Sequence, residues 1–243
     1  MEGTIEPGVY QMSWRGLRLS ECWRFSKGWI LPIALLMKLS GKRGNHVWLP
    51  ASQSEPPCPR DDLSAEALAH LDPEIEKLAG LGYSVISYKK VVRSLDPHVR
   101  DTGGFMALHH DGQRTLHVLY LHRAQEPPLP PELRTVNPFG VIVPEGGVAV
   151  VVVNHNNYFD EPALSRTIQL PGVGIEEIAA RLERELGRAR KPIRVFVSPE
   201  EAIRFADVRG SAAHARQIGR GLYVKVPPEE ARRILYDAGL NPL

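Results

Sequence analysis

The sequence predicts an α+β fold, a mainly antiparallel sheet with helices packed on one side and a C-terminal β-α-β-α extension. Three features point there. Val195-Phe-Val-Ser-Pro-Glu-Glu-Ala-Ile-Arg204 returns as Val224-Lys-Val-Pro-Pro-Glu-Glu-Ala-Arg-Arg233. Each copy is a short β-branched stretch running into a proline-led helix, with two glutamates at the positive end of its dipole. Asp111-Gly112 stands between two runs of strand formers, and a type I′ hairpin turn prefers that pair. Val148-Ala-Val-Val-Val-Val153 is apolar on both faces, as a central strand is.

Taken in order, residues 1–50 hold all four tryptophans (Trp14, Trp23, Trp29, Trp48) and the apolar run Trp29-Ile-Leu-Pro-Ile-Ala-Leu-Leu-Met37, with basic residues on either side. The run is far short of the roughly twenty apolar residues of a membrane span, and no signal-peptide cleavage site accompanies it. It reads as part of an N-terminal layer packed on the main domain. The alternative is attachment of residues 23–38 to a membrane surface, where tryptophan and basic residues beside an apolar run are at home. Polar, proline-bearing residues 51–62 read as a linker, which leaves 63–243 as the α+β domain.

Ser64 is placed to cap a helix. Asp72-Pro73-Glu74 starts a second, whose Ile75, Leu78 and Leu81 share a face and which Gly82 ends. Tyr83 to Val92 is a strand, and Gly104–His110 with Gln113–Arg123 a hairpin. After the proline-rich connection from Glu126 to Glu132 come the 148–153 strand, another from Ser165 to Leu170, and a helix marked by Ile175, Ile178, Leu182 and Leu186. Two repeats are too few for a solenoid. They read as a crossover added to the main sheet, with Val195, Val197, Val224 and Val226 in two strands and Ala202 and Ala231 facing inward.

Composition is that of a globular chain, 43% hydrophobic with a formal charge of +2. The charge is uneven: residues 1–60 carry 8 basic and 4 acidic side chains, 61–180 carry 9 and 16, and 181–243 carry 13 and 8. An excess this small reads as solvated faces and disfavours nucleic acid as a partner. Cys22 and Cys58 provide neither a disulfide framework nor a paired metal motif, which suits a reducing, cytoplasmic setting.

A helix ending in Leu81-Gly82-Tyr83, strands separated by a glycine turn, and Leu170-Pro-Gly-Val-Gly-Ile-Glu-Glu-Ile178 leading a helix together resemble a loosely defined group of uncharacterised bacterial proteins, over roughly residues 65–190. Where that group tends to show an aspartate-glycine turn and a threonine-rich strand, this chain has Phe159-Asp160-Glu161-Pro162. The resemblance implies a fold class and carries over no functional residue. A leucine-glycine-aromatic step before a strand also occurs in the glyoxalase-like metalloenzymes, whose metal sits among histidines and glutamates at strand centres.

His109, His110, His117, His122 and His155 lie in the sheet region. In the hairpin register set by Asp111-Gly112, facing residues sum to 223, so His110 and His117 share a face roughly 13 Å apart. Zinc ligands must converge to about 2.1 Å from one ion. No metal site and no cofactor is therefore expected. Asn154, His155, Asn156 and Asp160, at the exit of the 148–153 strand, are candidates for holding a polar ligand, although a turn explains the asparagines as well. Arg209, Gly210, Ser211, His214 and Arg216 are candidates for an anion, if Gly210-Ser211 opens a helix whose free amides face it. No catalytic motif stands out. The expectation is a non-catalytic ligand-binding or protein-interaction module taking a small anionic ligand or a protein partner. The alternatives are an enzyme with a dispersed site near His155 and Asp160, and a peripheral membrane protein.

Overall fold

The structure, a computed structural model, describes residues 5–26, 31–49, 57–90, 94–125, 129–155 and 161–240. In chain order the elements are β1 (Gly8–Ser13), α1 (Leu19–Ser26), α2 (Leu31–Ser40), β2 (Arg43–Leu49), α3 (Ala65–Gly80), β3 (Tyr83–Lys89), β4 (Val99–His109) and β5 (Arg114–Ala124). There follow β6 (Glu132–Ile142), β7 (Ala149–Val153), β8 (Ser165–Gln169), α4 (Ile175–Gly187), α5 (Pro199–Gly219), β9 (Tyr223–Lys225) and α6 (Pro228–Asp237). The class is α+β, as the sequence predicts.

The chain divides into two compact units, residues 1–54 with 92–97 and 207–243, and residues 55–91 with 98–206. The division runs differently from the expected 1–50, 51–62 and 63–243. The C-terminal residues belong with the N-terminal ones because β9 is an outer strand of the three-stranded sheet β2-β1-β9, not of the main sheet. Of the expected linker, residues 57–62 are described. Cys58 pairs with Tyr88 and Arg60–Asp62 forms a 3-10 turn, while 51–56 lie outside the described residues.

In the smaller unit, Val9, Val226 and Leu235 form a core with Trp48, Leu95, Ala231 and Ile234 around it. The fully buried Glu21 of α1 takes two 2.8 Å bonds from the Arg220 guanidinium, whose Nη1 also donates to Gly16 O at 2.6 Å. Gly16 runs against residues 221–222 so closely that a Cβ there would lie 2.2 Å from Leu222 N. These contacts fasten the two ends of the chain. Only Ala34 of α2 is buried, and Ile33, Leu36 and Leu39 are exposed, as are Leu19 and Trp23 of α1.

In the larger unit the sheet order is β3-β4-β5-β6-β7-β8, antiparallel except for the β7–β8 pair. One face carries α3 and α4 through Ala67, Leu71, Leu78, Ile175, Ile178 and Leu182. The other carries the first half of α5, with Ala202, Ile203 and Phe205 against Met106, Val141 and Val151. The expected one-sided arrangement therefore holds for α3 and α4 only. β7 is buried along its whole length, as a strand apolar on both faces requires. At Gly140 of β6 a Cβ would sit 2.3 Å from Leu182 Cδ1, so glycine there is what lets α4 lie close to the sheet.

The β4–β5 register is the one read from the sequence, with Met106 opposite His117. The turn is a step away from the one expected: Gly112 N–H donates to His109 O at 2.9 Å with φ +71° at Gly112, so His110 and Asp111 are the central pair. Phe196 N–H reaches Gly112 O at 2.8 Å, and a Cβ at Gly112 would lie 2.6 Å from Phe196 O. β6 goes unread in the sequence because Pro138 sits within it. Pro138 O accepts from Asn154 N at 3.3 Å, just beyond the Phe139–Val153 pair that ends β7, so no ladder donor is needed there. The first strand of the C-terminal extension does not form. Residues 194–196 are held by single bonds, Arg194 N to Val143 O and Phe196 N to Gly112 O, and Val197 is 86% exposed. Both repeat helices do begin at their prolines, Pro199 and Pro228.

Candidate functional site

α4 is amphipathic, and its inward stripe runs Ile175, Ile178, Ala179, Leu182 and then Glu185, all buried. A carboxylate 6% exposed needs compensation. Glu185 has it threefold: Arg166 Nη2 at 2.5 Å, Arg181 Nη2 at 2.9 Å and Arg188 Nη1 at 3.5 Å. Arg181 lies one turn earlier on the same helix face. Arg166 comes from β8, in register with Val150, whose side chain lies in the core beneath α4. The hydrogen bond from Arg166 holds the Glu185 carboxyl below its ordinary value.

These side chains line a cleft of about 500 Å³, bounded by Ile142, Pro144, Val148 and Val150 on one side and by Arg166, Arg181, Arg188 and Lys191 on the other. Three guanidiniums meet one carboxylate, and Lys191 Nζ donates to Gly146 O at 3.3 Å. Cations near a helix C-terminus are favoured by its dipole, and Arg188 and Lys191 need no more explanation than that. Arg166 and Arg181 do, and Arg181 Nε is buried without a hydrogen-bond partner. A cleft with an apolar floor and an excess of fixed positive charge can hold an organic anion, the charged group on the guanidinium side.

No known protein family, curated protein or solved structure matches this chain. The site therefore rests on its own chemistry.

Of the residues singled out in the sequence, Asn154, His155, Arg209, Gly210, Ser211, His214 and Arg216 are described. Asn154 serves the backbone: its side-chain amide donates to Val136 O at 3.4 Å, and its carbonyl accepts from Gly172 N at 2.9 Å. His155 is exposed, 3.4 Å from Asn154 Oδ1, and Asn156 and Asp160 lie outside the described residues. Gly210 and Ser211 sit in the interior of α5, so their amides are not a helix start and cannot face an anion as expected. At 3.6 residues per turn Arg209 and Arg216 fall on one face of α5, and Gly210, Ser211 and His214 on another. His214 instead meets Tyr223 edge-on at 6.2 Å, and burial holds its imidazole below the ordinary value.

Two histidine clusters do form, and both are fastenings. Burial lowers the affinity of His109 for a proton; its Nδ1 is 2.9 Å from Asp111 Oδ1. Arg114 Nη2 lies 2.9 Å from both ring nitrogens, which places the guanidinium over the ring, and Arg114 is also paired with Glu183. Tyr83 stacks edge-on at 4.8 Å, its hydroxyl pushed up to about 12 by burial. At the other end of the sheet, His122 Nδ1 stands 3.2 Å from Glu66, which with Glu132 also binds Arg134 at 2.6 Å. Among the described residues no three His, Cys, Asp or Glu side chains gather as a metal-holding group.

The cleft left one trace in the sequence. Residues 181–243 carry the basic excess, and Arg181, Arg184, Arg188, Arg190, Lys191 and Arg194 are spaced along its beginning. What could not be read is that Arg166, from a strand, joins them.

Proposed function

We propose that the larger unit is a non-catalytic binding module for a small organic anion, with the ligand in the cleft between α4 and the β7–β8 edge. The observation that carries this is the imbalance around Glu185, one buried carboxylate against Arg166, Arg181 and Arg188, in a cleft that Lys191 also lines. Glu185 holds the three guanidiniums that line the cleft, and it is one carboxylate to their three charges. The floor of Ile142, Pro144, Val148 and Val150 favours a ligand with an apolar body over a bare inorganic ion. The two cysteines are free, which supports a reducing, intracellular setting for this role.

Calorimetric titration with phenyl phosphate and with inorganic phosphate tests the proposal. Phenyl phosphate is expected to bind saturably at one site per chain and more tightly than phosphate. Arg181→Ala should weaken it by about tenfold or more, the usual loss for a charge-assisted bond. Absence of saturable binding by either probe, or an unchanged affinity in Arg181→Ala, overturns it.

A further inference from the structure

The helix pair of the smaller unit has its apolar side outward. On α2, Ile33, Leu36 and Leu39 are 56%, 65% and 75% exposed, while the buried residue on the opposite face is only Ala34. On α1, Leu19 and Trp23, one turn apart, are 66% and 58% exposed. The helical period places Ile33, Leu36 and Leu39 within about a third of the α2 circumference, a continuous stripe. Such a stripe next to water is costly unless something covers it.

The charge around it says what. Between residues 5 and 49 there are two carboxylates, Glu6 and Glu21, against seven lysines and arginines. Both carboxylates are already engaged, Glu21 buried under Arg220 and Glu6 paired with Lys225. Lys38 donates to the carbonyls of Arg15 and Leu17, and Arg15, Lys42 and Arg43 are exposed. No described helix is long and apolar enough to cross a membrane. A short, exposed apolar stripe in one unit with the exposed Trp23, Arg15, Lys42 and Arg43 fits the boundary between acyl chains and anionic headgroups.

We infer that α1 and α2 seat the protein on an anionic lipid surface, with Trp23, Ile33, Leu36 and Leu39 entering the headgroup layer and Arg15, Lys42 and Arg43 meeting lipid phosphates. The full chain is tested by flotation with vesicles of phosphatidylcholine alone and of phosphatidylcholine with about one third phosphatidylglycerol. Binding is expected to the anionic vesicles only, to fall when salt is raised, and to weaken at least about tenfold in Leu36→Asp. Lys42→Glu with Arg43→Glu should weaken it too, with the fold untouched. Since Leu36 is exposed, Leu36→Asp should melt at the wild-type temperature. A lowered melting temperature would show the face packed within the protein and overturn the inference. No binding to anionic vesicles overturns it, and so does a dimer in sedimentation that Leu36→Asp dissolves, which would make the cover a second copy of the chain.

Discussion

At Glu185 the inward stripe of a regular amphipathic helix carries a carboxylate where the apolar period predicts Leu186. Tertiary partners decide the matter, since Arg166 reaches it from β8. No window of sequence along α4 contains that fact, which is why the residue that organises the cleft was illegible while Ile175, Ile178 and Leu182 were plain. The consequence can be measured. With its proton affinity lowered in the folded state, Glu185 stabilises the fold above its ordinary value of 4.5, and that contribution is lost as pH falls through the lower folded value. Glu185→Gln should therefore unfold at a lower urea concentration than wild type near pH 7, with the gap closing near pH 3. An equal gap at both pH values would mean that the side chain acts through packing and not through charge.

Among elements, those with a strong local signal were legible. The β4–β5 register, the buried β7, the α4 apolar face and the proline starts of α5 and α6 all follow from residues within a few positions of each other. The misses have one cause each. Pro138 hides β6, although it stands just past Phe139–Val153, the last β6–β7 pair, and the 195–197 copy of the repeat is held by a single backbone bond instead of a strand ladder. The repeat nevertheless gives two different helices. Ala202 is fully buried beside Phe196 and Ile203, whereas Ala231 is only partly covered at the rim of the smaller core. Ala202→Leu should cost about 1 to 3 kcal/mol by overpacking, and Ala231→Leu less than about 1 kcal/mol. Chemical unfolding of both variants checks the order, and equal losses would mean that the two helices share one depth of packing.

On the scale of the whole molecule, the uneven charge noted in the sequence acquires places. Of the N-terminal excess, Arg15, Lys42 and Arg43 are exposed in the smaller unit, and part of the C-terminal excess lines the cleft on α4. Charge counted along the sequence does not reveal which cations converge on a buried carboxylate. The most direct measurement is the change in backbone amide resonances as phenyl phosphate is added to the full chain. The account predicts saturating shifts in residues 144–148, around Arg166 and over residues 181–191, with α5 from Arg209 to Arg216 silent. Shifts centred on residues 209–216, or spread over the surface without saturating, would contradict it.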